Sequence, residues 1–152
     1  MDRNIDAAVI FTSALTEVIS TVSGFSLEVL SQEPDNGFDA ITGVMNLHGN
    51  LSGILFVSSS EADMRTICAS MIGVPLPEIK NEDAEDALCE LTNMTAGSAK
   101  LRFGYTEDAF SLSPPFIIRG KEMTLATKGK TQVVARTIGN GDITVKLKVV
   151  LL

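Results

Sequence analysis

Two spacings of apolar residues alternate along the chain and divide it into helices and strands. From Asn4 to Val22, Ala8, Phe11, Ala14 or Leu15, Val18 and Val22 return every three or four positions, as one apolar helix face requires. Asn4 or Asp6 is placed to cap this helix and Gly24 to end it. Phe25 to Leu30 alternates with period two and reads as a short strand. A loop follows from Gln32 to Asp39, holding Pro34 and Gly37. Ala40 to Ser58 reads as a hairpin. Ile41, Gly43, Met45 and Leu47 alternate with Thr42, Val44, Asn46 and His48, Gly49-Asn50 turns the chain, and Leu51 to Val57 runs back. Helical spacing resumes from Ser60 to Ile72, with Ser60 or Ser59 as cap, Glu61 and Asp63 near its start and Gly73 as its stop. Pro75 and Pro77 stiffen the connection that follows.

Glu82 to Phe103 is the longest helical pattern, with no Pro and one late Gly. At 100° per residue, Ala84, Ala87, Leu88, Leu91, Met94, Thr95, Ser98 and Leu101 fall on one side, which predicts the face laid on a sheet. Asp86, Glu90, Asn93, Gly97 and Lys100 stack on the roughly opposite side. A glycine inside a helix costs about 1 kcal/mol relative to alanine. A solvated face has no use for it unless another surface must approach the backbone. An acid, an amide and a bare glycine on one exposed ridge therefore form the candidate functional surface.

Beyond that helix, Gly104 to Asp108 reads as a loop. Phe110 to Leu112 and Phe116 to Ile118 read as strands broken by Pro114-Pro115, which predicts an edge or a bend. Met123 to Ala126 fits a further short strand. Thr131 to Ile138 and Ile143 to Leu151 form a second hairpin across Gly139-Asn140-Gly141-Asp142. Its last strand puts Ile143, Val145, Leu147, Val149 and Leu151 on one face and Thr144, Lys146 and Lys148, then Val150 and Leu152, on the other. Each half thus runs helix, Phe-Ser-Leu (Phe25-Ser26-Leu27; Phe110-Ser111-Leu112), then hairpin, with Ser60 to Ile72 bridging them. The expectation is one α+β domain over residues 1–152. It is built of two duplicated helix-plus-strands units whose mostly antiparallel sheet is covered by helices on one side.

Composition narrows the function. With 152 residues, 45% hydrophobic and 20% charged, the chain suits a single globular domain. A formal net charge of −7 disfavours nucleic acid or an anionic membrane as partner and leaves room for a basic protein surface. Cys68 and Cys89 have no metal-type spacing, so neither a zinc site nor a disulfide framework is expected. The N-terminus lacks a signal-peptide pattern and no apolar stretch reaches the ~18 residues of a membrane helix, which makes the cytoplasm the expected address. Walker, G-x-S-x-G, G-x-G-x-x-G and His/Cys signatures are missing, and the only histidine, His48, sits beside a turn, where such a residue is ordinarily solvated. Glu90-x-x-Asn93 remains. On spacing alone the pair also describes a plain solvated helix face.

Asp86-x-x-x-Glu90-x-x-Asn93, followed by Gly97 and the SLSPPFIIRGK segment with Pro114-Pro115, resembles the signature of the CheC/CheX/FliY family of chemotaxis phosphatases. With one intact signature in a chain of this length, the likeness is to its CheX-like members. It extends to the first helix and the Gly43…Gly49…Gly53 hairpin and covers nearly the whole chain. The resemblance implies a CheC-like fold with a long signature helix. The implied activity is hydrolysis of the aspartyl phosphate on a CheY-like response-regulator receiver, with a non-catalytic receiver-binding adaptor or a flagellar-switch module as the alternative. It implies that Asn93 positions the attacking water and that Glu90 meets the receiver's lysine. Gly97 then admits the receiver's loops, with Asp86 and Lys100 at the periphery. No metal ligand is expected from this chain, the Mg²⁺ being the receiver's own. Either Pro114 or Pro115 matches the family proline. Ser13-x-x-x-Glu17-x-x-Ser20 in the first helix has the signature's shape with Ser in place of Asn, either a degenerate copy or a polar helix face. Relatives also suggest a homodimer joined through sheet edges, and the apolar Val149–Leu152 tail reads as a strand end needing cover.

Overall fold

A computed structural model describes residues 3–33, 35–104 and 110–152, with side chains from Asp6 onward. Three helices, α1 (Arg3–Ser23), α2 (Glu61–Ile72) and α3 (Asn81–Phe103), join strands β1 (Glu28–Ser31), β2 (Ile41–Gly49), β3 (Gly53–Ser59), β4 (Phe110–Leu112), β5 (Phe116–Arg119), β6 (Gln132–Gly139) and β7 (Thr144–Leu151). The sheet runs β1-β6-β7-β3-β2-β4, with β5 also on β2, and every pairing is antiparallel.

This order reads the same from either end once the halves are exchanged. The first strand of each half, β1 or β4, crosses to pair with the hairpin of the other half, and β3 and β7 meet in the middle. The duplication therefore holds in topology. The repeated tripeptide does not hold in register: β4 is Phe110-Ser111-Leu112 itself, whereas β1 begins at Glu28, after Phe25-Ser26-Leu27.

The helices share one face of the sheet. There Phe11, Leu15 and Ile19 of α1, Ile67 of α2 and Leu88 and Leu91 of α3 bury against Ile41, Leu55, Val57, Leu147 and Val149. The other face carries a smaller cluster of Val44, Phe56 and Val150 with Phe38, Ile118 and Leu125. Two segments roof it. Phe38 donates its N–H to Met123 O at 3.0 Å and Leu125 donates to Asn36 O at 2.7 Å. That cross-bracing leaves Met123 to Ala126 with one bridge, Gly37 to Thr124, in place of the expected strand.

Several boundaries differ from expectation for local reasons. Asn4 and Asp6 lie inside α1, not at its cap. The first hairpin closes through Asn50–Ser52 rather than a two-residue turn, because Leu51 turns into the core and Ser52 Oγ donates to Gly49 O at 2.8 Å. Gly24, at φ +79°, donates to Ser20 O and ends α1, and Gly73, at φ +68°, ends α2, both as expected. The loop expected at Gly104 to Asp108 falls mostly outside the described residues.

Three corrections are larger. The sheet-facing side of α3 is rotated from the wheel: Thr92, Ala96, Ala99 and Phe103 are buried, Met94 and Ser98 are only partly covered, and Leu101 is 82% exposed. Apolar character alone misplaced the face, because small residues set how closely the helix approaches. The Val149–Leu152 tail is not an open edge, since β7 lies mid-sheet between β6 and β3 and only Leu152 is exposed. And α1 does contain an 18-residue window, Asp6–Ser23, apolar enough to cross a membrane by length and composition, with mean hydropathy 1.2. Its apolar side is taken by the core, while Glu17 and Ser20 face outward.

Candidate functional site

The ridge depends on how α3 is seated. Acidic Glu82 and Asp83 in its first turn and basic Lys100 and Arg102 in its last complement the helix dipole. The Lys80 N–H donates to Asp83 Oδ2 at 2.8 Å, and Gly104, at φ +59°, donates to Lys100 O at 3.0 Å. The buried side is mostly small, with Ala84, Ala96 and Ala99 fully enclosed. Thr92 satisfies its hydroxyl on Leu88 O at 2.7 Å and sits directly over Gly43, where a Cβ would come within 2.0 Å of Thr92 Oγ1. Gly43 is thus the gap in β2 that lets the middle of α3 touch the sheet. Both ends are fastened. Arg119 of β5 pairs with Glu85 and Glu61 at the start of α3 and α2. Phe103 at the far end packs on Phe11 and Phe110, with centroids at 6.0 and 5.6 Å.

On the solvent side Asp86, Glu90, Asn93 and Lys100 are exposed and Gly97 is half-buried, as the wheel predicts. Glu90 and Asn93, three residues apart, are neighbours with Cβ atoms about 5–6 Å apart. Among the described residues neither side chain makes a hydrogen bond or ion pair within the chain. A Cβ on Gly97 would meet nothing within 4 Å, so no packing among the described residues calls for a glycine there. None of the five residues lines a described cavity. A cleft of about 600 Å³, bounded by Ala8, Thr12, Val29, Val133 and Arg136, belongs to α1, β1 and β6. An open ridge suits a protein surface rather than a small molecule, which concave sites bury.

Cys89 lies on α3 between Asp86 and Glu90. Partial burial, then the two carboxylates, push its thiol above the usual range, which keeps it protonated and a poor nucleophile. The α1 counterpart differs from the α3 pair: Glu17 is held by Arg102, so its carboxylate is spoken for within the chain, and Ser20 is exposed. The proline segment is stitched along β2, with the Asn46 N–H donating to Ser113 Oγ at 2.9 Å and Ser113 N–H to Asn46 O at 3.1 Å. Pro114 is exposed and Pro115 half-buried. Among the described residues no three His, Cys, Asp or Glu side chains gather as metal ligands would.

Sequence reasoning missed the parts that seat the ridge. A lone glycine inside a strand was the available signal for Gly43. Arg119 gave none, because its partners lie 58 and 34 residues away.

Comparisons with known proteins bear on the fold and the family. Residues 41–138 match the family model for chemotaxis phosphatase CheX, a span holding α3 and both prolines. The CheY-P phosphatase CheX of Thermotoga maritima is 28% identical over 91 residues, 59% of this chain and only 58% of that relative's length. A CheC-like superfamily protein from Shewanella sp. PV-4 superposes with TM-score 0.84 at 24% identity, covering 100% of this chain and 99% of that one. The CheX–CheY–BeF3–Mg²⁺ complex from Borrelia burgdorferi superposes with TM-score 0.75 at 14% identity, covering 94% and 96%. These structures share the fold, and the family model spans well over half of the sequence. With the duplicated sheet and the exposed signature helix both in place, the chain belongs to the chemotaxis phosphatase CheX family.

Proposed function

We propose that this protein hydrolyses the aspartyl phosphate of a CheY-like receiver in chemotaxis or related two-component signalling. The observation that carries the reading is the exposed Glu90/Asn93 pair, unpaired among the described residues, on a convex helix ridge of this family's fold. In the reaction a water oxygen bonds to phosphorus as the bond to the aspartate oxygen breaks, releasing inorganic phosphate. Positioning and charge stabilisation supply most of the rate in phosphoryl transfer. The receiver brings the phosphate, its lysine and Mg²⁺, which leaves the water to be placed. A carboxamide can place it, because the Asn93 oxygen accepts from the water while its NH₂ donates to a phosphoryl oxygen or a backbone carbonyl. Glu90, one turn earlier, pairs with the receiver's lysine and sets the docking angle. Gly97 leaves room for the receiver's loops, with Asp86 and Lys100 at the rim. The cytoplasm is the address this substrate implies, and a homodimer is the proposed assembly.

Phosphate release from phosphorylated receivers tests the reading. Asn93→Ala should lower the turnover rate at least a hundredfold while binding to a beryllofluoride-activated receiver stays within about threefold, because the water's placement matters most in the transition state. Near-parental turnover by Asn93→Ala would return Asn93 to a solvated helix face. Tight binding by the parent without any turnover would favour an adaptor.

A further inference from the structure

Leu101 stands in line with Glu90, the acid of the acid–amide pair. Glu90, Met94, Gly97 and Leu101 recur at intervals of four, three and four along α3, which makes one continuous ridge on a 3.6-residue helix. At 82%, Leu101 is the most exposed large apolar residue among those described. Met94 beside it is partly buried against the core, and the space above Gly97 is open, so nothing described obstructs the ridge between Glu90 and Leu101. A lone exposed leucine is ordinary on a protein surface. Here it continues a surface whose charge also has direction, with Asp86 and Glu90 toward one end and Lys100 and Leu101 at the other. In an interface of this kind the charged contact fixes register and the apolar contact supplies affinity.

We infer that Leu101 is an apolar docking contact that, together with Glu90, selects which receiver is bound. The fitting receiver carries an apolar patch about 16 Å from the lysine that meets Glu90, the length of eleven helical residues at about 1.5 Å each. This rests on the receiver-phosphatase reading and adds to it a rule for choosing the partner.

Leu101→Ala tests it, since alanine is at least as good a helix former and removes only the exposed side chain. Binding to a beryllofluoride-activated receiver and steady-state phosphate release are measured side by side. The expected result is a rise of about tenfold in Kd and KM with kcat unchanged, recovery toward the parent in Leu101→Met, and an unfolding midpoint equal to the parent's. Ile72→Ala, on α2 and 55% exposed, serves as an apolar control off the ridge and should leave both constants unchanged. Parental affinity in Leu101→Ala, while Glu90→Ala loses affinity, overturns the inference and leaves the phosphatase reading standing. An equal loss in Ile72→Ala, or a drop in the unfolding midpoint of Leu101→Ala, also overturns it. A parent that binds no receiver overturns both.

Discussion

Gly97 separates what folding wants from what docking wants. A Cβ at this position enters open space, and alanine is the better helix former, so Gly97→Ala should raise unfolding stability by about 0.5–1 kcal/mol in chemical denaturation. The same methyl stands on the ridge proposed to meet the receiver, so KM should rise, and Gly97→Leu should obstruct docking outright. A Gly97→Ala protein that is more stable and also fully active would mean that the glycine serves no partner. Glu90→Ala makes the complementary test. In the proposed mechanism its contact forms already in the ground-state complex, so affinity should fall by about 1–3 kcal/mol, unlike the rate-only effect expected at Asn93. The exposure of these residues was legible from the 3.6-residue period. That Glu17, in a similar pattern on α1, is tied to Arg102 was not, because the two lie 85 residues apart.

At the scale of elements, the seat of α3 on β2 is the sensitive joint. Gly43→Ala places a methyl 2.0 Å from Thr92 Oγ1 and 3.0 Å from Thr92 Cβ, so the helix must shift or the side chain must leave its rotamer. Overpacking of this kind costs about 1–3 kcal/mol, and here it should also lower turnover by moving the ridge. Thr92→Ala in the Gly43→Ala background should recover part of both losses, and additive effects in the double-mutant cycle would contradict direct contact. On the other sheet face, Lys148 of β7 is 1% exposed, donates to Gly37 O and lies 4.6 Å from the Phe38 ring centroid. Burial pushes its pKa below the usual lysine range, against the pull of Asp35 and Asp39. Between the folded and unfolded values the unfolded chain binds more protons, so this group's contribution to stability rises with pH through that window. Lys148→Met should therefore be neutral or stabilising by about 1 kcal/mol near pH 7. That advantage should shrink as pH climbs toward the lysine range near about 10.4. Thermal unfolding followed from neutral to alkaline pH checks this, and an advantage that grows with pH would contradict it.

The whole molecule leaves β1 and β4 at the ends of its sheet path. A length of four residues and a bulge between Val29 and Ser31 blunt β1 for strand pairing, but Val29, 41% exposed, and Leu30, 53% exposed, leave apolar surface at this edge for a second copy to cover. A dimer built this way should show twice the 16.2 kDa chain mass by light scattering at tens of micromolar. Leu30→Lys should return it to one chain mass while α3 keeps its activity. A single chain mass for the parent at those concentrations would dismiss the dimer, and a Leu30→Lys protein that stays at twice the mass would dismiss this edge.

What the sequence determined by itself was local or periodic. The span of α3, the outward ridge of Asp86, Glu90, Asn93 and Lys100, the helix-ending glycines and both hairpins follow from spacing and turn chemistry within some twenty neighbours. The tertiary structure decided what depends on residues far apart in the chain. It chose which small residues face the sheet, because Thr92 fits only over Gly43. It set Leu101 in solvent and buried Lys148 beneath a roof of two distant loops. It also carried the last strand into the middle of the sheet, because β7 of the second half pairs with β3 of the first. The physical reason is that periodicity gives a side chain's direction on its own element, whereas burial is set by whatever packs on that direction from elsewhere.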